Sequence, residues 1–331
     1  MNTFTGQPLS LEAILNRYDP YLQDCRDRMI ADLKKTPGTA GLAEYFQGGK
    51  MFRALLVFVT ASAIGIEPSK MIPLASALEL LHGASLIHDD IVDEAVERRS
   101  RPALHVQMGI GPALILGDYL ILRAFTVLQE LHHVYGATRV IEASHTLNCY
   151  AQLSCLGELH ELMPTGEGNP EDEYLTIVRG KTASQFAAAV TLPAILGGGT
   201  SGDIEALRAY GLNVGIAFQI QDDVLDLAGD TGLLGTPVGT GLVKERLLLP
   251  LIYLERYGSP TALRQYRIPQ TEAGRPVQLA ALLKEEGIFD RIKMTQDRYL
   301  SAALQALDGI RPSDERGILS VLASAAATHH G

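Results

Sequence analysis

The sequence predicts an all-α protein, and three observations carry that prediction. Apolar residues recur at three- and four-residue steps along nearly the whole chain, as with Leu74, Leu78, Leu81, Ser85 and Leu86 in the stretch 74–92. Helix starts and stops are written where that periodicity breaks. Alternating strand patterns and Asn-Gly hairpin signals do not occur.

Each boundary has a physical reason. Asn169-Pro170-Glu171-Asp172 supplies a capping side chain, a proline in the first turn and acids at the positive end of the helix dipole. Ser313-Asp314-Glu315 after Pro312 opens a last helix in the same way, and Gly287 and Gly309 read as stops. No low-complexity linker divides the chain, so one helical domain is expected over 1–331. The Gly/Thr-rich "GDTGLLGTPVGTG" (229–241) reads as a mobile loop between helices.

Composition narrows the function. The 331 residues are 47% hydrophobic and 20% charged, a globular balance with enough chain for a large core. A net charge of −10 argues against a nucleic-acid binder or a partner of anionic membranes, so a bound anion needs a local basic site. Cys25, Cys149 and Cys155 form no CxxC pair and are odd in number, which points to a reducing, cytoplasmic setting. Cys149 one turn after His145 is half a zinc site at best, and buried thiols are the better reading. The apolar run "ALLVFVTASAIGI" (54–66) is short of the roughly 20 residues a membrane span needs. The first twenty residues show no basic-then-apolar secretory signal.

The charges of "LLHGASLIHDDIVDEAVERRSRPALH" (80–105) are sorted, acids first and an Arg-Arg pair after them. "DDIVD" at 89–93 returns as "DDVLD" at 222–226. In both copies the outer aspartates are four apart and stack on one helical face, where like charges repel. A divalent cation offsets that repulsion, and oxygen-only ligands favour Mg²⁺ completed by substrate phosphates. Arg98 and Arg99 can fork onto phosphate oxygens. Upstream, "GGKMFRALL" (48–56) offers a flexible Gly48-Gly49 turn, with Lys50 and Arg53 expected to share a face at a helix start. The pattern suits two phosphorylated substrates side by side, one bridged by metal and one met by bare cations.

"GGKMFR", "LLHGASLIHDDIVDEAVERRSRP", "GKTASQF" and "FQIQDDVLD", in this order, resemble the trans-prenyltransferases, the head-to-tail polyprenyl diphosphate synthases. The resemblance implies the isoprenoid synthase helical bundle around a central cavity, usually as a homodimer. Its substrates are an allylic diphosphate and isopentenyl diphosphate. It implies Asp89, Asp93 and Asp222 as acids that bind Mg²⁺, three ions in all, with Asp90, Asp223 and Asp226 supporting them. Arg98, Lys181 and Gln219 match positions at the allylic diphosphate, and Thr182 one that steadies the allylic cation. Lys50, Arg53, His82 and Arg99 match the metal-free site for isopentenyl diphosphate. His88, His105, His132 and His133 have no such match and read as structural or solvated.

Two departures stand out. Where the family's loop has lysine, aspartate and glycine-lysine, this chain has Thr236, Gly241 and Glu245-Arg246, and Arg246 or Lys244 is a candidate replacement cation. Glu161 stands where glutamine is usual. A catalytic synthase competes with a terpene cyclase of the same fold and with a non-catalytic subunit of a hetero-oligomer. The retained cations speak against the first alternative and the two intact acid motifs against the second. For product length, the chain is expected to pass Ser85, Ala84 and Leu81, which lie four, five and eight residues before Asp89. Small residues at the first two remove the floor that stops growth at fifteen carbons, so products of at least twenty carbons are expected.

Overall fold

A computed structural model describes residues 3–4, 7–8, 10–36, 38–39, 42–99, 101–228, 246–267 and 275–328. The helices in chain order are α1 Leu11–Lys35, α2 Leu42–Tyr45, α3 Phe52–Ala63, α4 Ile72–Val92, α5 Leu104–Met108, α6 Ile110–Gln129, α7 His132–Tyr135 and α8 Ala137–Leu162. There follow α9 Pro170–Val178, α10 Ser184–Gly197, α11 Ser201–Ala228, α12 Leu249–Tyr257, α13 Pro260–Arg267, α14 Arg275–Glu285, α15 Ile288–Ala306 and α16 Asp314–Ala326. The described strands are two short antiparallel pairs, Thr3–Phe4 with Gln7–Pro8 and Glu97–Arg98 with Arg101–Pro102. The all-α expectation holds.

The helix signals are met by side chains. Asn169 accepts from the Glu171 N–H at 3.2 Å and Ser313 from the Arg316 N–H at 3.1 Å. Gly287 takes the left-handed conformation, φ 66°, between α14 and α15. The loop 229–241 with Thr236 and Gly241, and Lys244 and Glu245 beyond it, lie outside the described residues.

Burial sorts the helices by composition. α10 is apolar nearly all round and buried from Phe186 to Leu196, which a helix tolerates only at the centre of a bundle. α3, buried from Ala54 to Ala61, packs on it, as do α8 and α11. The long α11 joins two cores: Leu207, Tyr210 and Val214 enter the larger one, Ile216, Ile220 and Leu227 a second built with α9, α12 and α15.

Two helices, Pro68–Val92 and Ile110–Tyr135, are long and apolar enough to cross a bilayer by length and composition. A search for unbroken apolar runs passes over them because Glu79 and Asp118 interrupt the pattern. In the first, 61% of the apolar window is buried inside the protein; in the second only 28% is. Ile115 and Leu122 of α6 are exposed, as is Ile141 of α8.

Candidate active site

The last turn of α4 presents Asp89 and, as the residue that closes it, Asp93, whose N–H donates to Asp89 O at 2.8 Å. Burial pushes the Asp89 carboxyl up to about 6, with Lys181 pulling the other way. Asp93 Oδ2 accepts from Arg246 Nη2 at 2.5 Å. Asp90 differs from the expectation. It faces inward, 1% exposed, and both its oxygens accept from Arg98 Nε, at 2.7 and 2.9 Å. That pair engages both carboxylate oxygens, so in this structure Asp90 holds Arg98.

Lys181 and Thr182 sit in a π turn, Arg179–Ala183, between α9 and α10. Such turns displace the helical hydrogen bonds and are frequent at functional sites. The displaced Lys181 carbonyl accepts from Ser154 Oγ at 3.2 Å and Gln185 Nε2 at 3.1 Å. Gly157 of α8 makes the contact possible: a Cβ there would lie 2.3 Å from Lys181 N and 2.8 Å from Gly180 C. The close approach brings Glu158 and Glu161 to Lys181, whose Nζ is 2.5 Å from an oxygen of each. Burial would lower the Lys181 pKa, but Asp89, Glu161 and Glu158 together hold it above the usual value.

Thr182 links this cluster to the second acid motif. Its hydroxyl donates to Gln219 Oε1 at 2.7 Å, and Gln219 Nε2 donates to Asp223 Oδ1 at 3.0 Å and reaches Asp222 Oδ2 at 3.4 Å. Asp223 is 4% exposed, and burial pushes its carboxyl up to about 7. Its other oxygen accepts from the Leu249 N–H at 3.4 Å. Arg246 and Leu249 therefore tie the two motifs together, one at Asp93 and the other at Asp223. Asp222 and Asp226 are half-buried.

The basic residues gather on the other side of α4. Met51 is left-handed, φ 48°, so the chain turns before α3 begins at Phe52. Lys50 therefore stays exposed outside the helix while Arg53 is drawn inward, and the two do not share a helical face. Arg53 lies over the Phe186 ring, 5.5 Å from its centroid. Burial lowers its pKa to about 10 despite the nearby Glu79. Glu79, 7% exposed, accepts from the Ala54 N–H at 3.0 Å and is raised above the usual carboxyl range by its burial. His82 is held well below its ordinary value by burial and then by Arg53, Arg99 and Arg98, so its ring is neutral near pH 7. Arg99, also left-handed at φ 52°, donates to Gly48 O at 3.1 Å. Arg26 of α1 donates to Gly49 O at 3.3 Å. Gly49 must be glycine: φ is +101° and a Cβ would meet the Arg99 guanidinium at 2.8 Å. Arg53 Nε and Arg26 Nε are buried atoms without a hydrogen-bond partner, and the buried His82 ring lies beside the Gln185 side chain. An ordered water or a polar ligand completes such atoms.

Beside α4 lies a mainly apolar cavity of about 130 Å³. Leu78, Leu81, Ser85 and His88 line it from α4, Ile121 from α6, and Leu147 and Tyr150 from α8. Of the three residues expected along the growing chain, Leu81 and Ser85 line this cavity and Ala84 does not. Ala84 is 1% exposed in the core, because five residues turn a helix by about 140° from Asp89, away from the cavity face. His88, read as structural or solvated, also lines the cavity.

The donor chemistry fits a hard divalent cation whose shell a phosphate completes. Asp89, Asp93, Asp222 and Asp226 offer oxygen donors, yet among the described residues no three acids, histidines or cysteines converge to hold an ion alone. Glu79, Glu158 and Arg26 escape the sequence reading; a lone acid in the apolar run 74–81 is the signal for the first. Cys149 and Cys155 are exposed rather than buried, and Cys149 Sγ lies 3.8 Å from His145 Nε2.

The model of the polyprenyl synthetase family matches residues 39–278. The chain is 29% identical over 306 residues to octaprenyl diphosphate synthase of Haemophilus influenzae, covering 91% of both. It is 32% identical to heptaprenyl diphosphate synthase component 2 of Geobacillus stearothermophilus, over 86% of this chain and 88% of that one. A polyprenyl synthase from Caulobacter crescentus, solved with calcium and isoprenyl diphosphate, superposes with a TM-score of 0.86 at 30% identity, covering 96% of this chain and 98% of its own. With its acid pairs, basic pocket and apolar cavity in one helical bundle, the chain belongs to the polyprenyl synthetase family.

Proposed function

We propose that the protein extends an allylic diphosphate with isopentenyl diphosphate, releasing pyrophosphate and an all-trans polyprenyl diphosphate of at least twenty carbons. The observation that carries this reading is the pair of unlike anion pockets set beside an apolar cavity. One pocket combines carboxylates with Lys181 and Arg246; the other is built of cations around Glu79. Asp89 and Asp93, with Asp222 and Asp226 opposite, hold Mg²⁺ together with the allylic diphosphate. Three ions held there would supply positive charge to the leaving pyrophosphate.

Lys181, Arg246 and Arg98 orient the allylic diphosphate, and their charges stabilise the oxygen anion that forms as its C1–O bond breaks. Thr182 Oγ1 and the Gln219 carbonyl, fixed by their hydrogen bond, face the allylic cation. Lys50, Arg53, Arg99 and neutral His82 hold isopentenyl diphosphate so that its terminal alkene carbon attacks C1. A proton then leaves C2 of that unit for the released pyrophosphate. The cavity takes the growing chain and keeps water from the cation.

We place the whole chain in one catalytic domain working in the cytoplasm as a homodimer. The exposed Ile115, Leu122 and Ile141 support a second copy covering α6 and α8. Purified protein incubated with Mg²⁺, farnesyl diphosphate and isopentenyl diphosphate should yield products of twenty carbons or more and pyrophosphate. A cyclic hydrocarbon, or no product without a second protein, would replace this reading by a cyclase or a non-catalytic subunit.

A further inference from the structure

Glu161 stands between the two cations of the allylic pocket. Its Oε2 accepts a hydrogen bond from Lys181 Nζ at 2.5 Å and lies 4.0 Å from Arg246 Nε. Arg246 is bound at its other end to Asp93, and Lys181 also pairs with Glu158. Glu158 and Glu161 therefore hold the ammonium from two sides at the same distance, and Glu161 is the one that also faces Arg246. Glu161 is also the least exposed side chain of the group, at 15% against 17 to 27% for Asp93, Lys181, Glu158 and Arg246.

Among the described residues, the charges around this point do not balance. Asp89, Asp93, Glu158 and Glu161 face two cations, Lys181 and Arg246, and Arg98 is neutralised in its pair with Asp90. An ionised cluster carries a formal charge of −2, which repels a diphosphate and attracts a divalent cation. A neutral glutamine at 161, usual in the chains this sequence resembles, would halve that excess and release Lys181 from one of its two partners.

We propose that Glu161 is a positioning residue that clamps Lys181 and Arg246 in the ligand-free protein and makes capture of the allylic diphosphate conditional on metal. The inference rests on the proposed function and adds a specific device to it. Metal on the acid motifs reverses the local charge, and the two cations pass from Glu161, Glu158 and Asp93 to the diphosphate. In this chain the negative pocket thus rejects bare pyrophosphate and unmetallated substrate.

Calorimetric titration of inorganic pyrophosphate into the full-length protein, at a series of magnesium concentrations, tests this without turnover. Glu161→Gln should bind pyrophosphate at lower magnesium, with the midpoint of the metal dependence reduced by roughly tenfold, the scale of one nearby charge. Glu161→Asp, which keeps the charge, should stay near the wild-type midpoint; melting curves establish that both variants are folded. An unchanged midpoint in Glu161→Gln would overturn the proposal. A raised midpoint would also overturn it, by making Glu161 a metal ligand instead of a clamp. Wild type that binds no pyrophosphate at any magnesium concentration would overturn the functional reading and this inference together.

Discussion

The two anion pockets flank the same helix and are built on opposite principles. On the allylic side each described cation is already matched: Lys181 with Glu158 and Glu161, Arg246 with Asp93, Arg98 with Asp90. On the other side Arg26, Arg53 and Arg99 surround one carboxylate, Glu79, among the described residues, and the buried Nε atoms of Arg26 and Arg53 lack partners. A pocket of matched pairs is stable as it stands and opens to an anion only when further positive charge arrives. A pocket with excess cations and incomplete hydrogen bonds is already shaped for a bare diphosphate. In the proposed reaction one diphosphate bond must break and the other be spared, and this difference would serve it, because metal would activate only one leaving group.

The comparison breaks most visibly at Asp93. Asp93→Ala should lower kcat by about 10³-fold or more, through loss of a metal ligand, while the melting temperature changes little. Near-normal turnover would mean that Asp93 serves only Arg246. Next in size, Arg53→Ala should raise the KM for isopentenyl diphosphate by roughly 10- to 100-fold, as expected for a lost charged hydrogen bond. Lys50→Ala should act in the same direction, and for both variants the KM of the allylic primer should move far less. Equal effects on the two substrates would erase the distinction between the pockets.

Gly157→Ala reaches the allylic side alone. Its new methyl meets the Lys181 and Gly180 backbone, which cannot yield as a side chain can, so about 1–3 kcal/mol of stability is lost. The KM of the allylic primer should rise with it, and chemical denaturation beside steady-state kinetics checks both. The smallest effect on rate belongs to Ser85→Phe, which should fill the cavity and shift the main product to fifteen carbons or fewer, with the first condensation intact. Ala84→Phe, placed in the core, should lower the melting temperature instead. A product distribution identical to wild type in Ser85→Phe would show that the growing chain takes another path.

What the sequence made legible was local. The repeated aspartates, the caps at Asn169 and Ser313 and the Gly48-Gly49 turn are written within a few residues of where they act. What it concealed was pairing across the fold. Asp90 looks equivalent to Asp89 along the chain, but one step around α4 turns its side chain by about 100°, from the site into the bundle, where Arg98 meets it. Ala84 was misjudged by the same geometry, since counting back five residues ignores the face. Glu158 meets Lys181 from another helix, and no local pattern of either segment encodes that meeting. Arg246, a candidate replacement cation in the sequence, donates to Asp93 across the fold, a contact that no local pattern encodes.

The π turn at Arg179–Ala183 sets the phase between two helices that would otherwise form one continuous rod. It holds one residue more than the α-helical turn it replaces, so everything after it is rotated by about 100° relative to everything before. Ser184 to Leu196 face the centre of the bundle in that phase, and Tyr174 to Val178 keep their own contacts with α11 and α12. Deleting a single residue within the turn would give a better helix with the wrong azimuth: either α10 loses its core or Lys181 and Thr182 leave the site. The spare residue is what lets one stretch of chain serve both structure and chemistry.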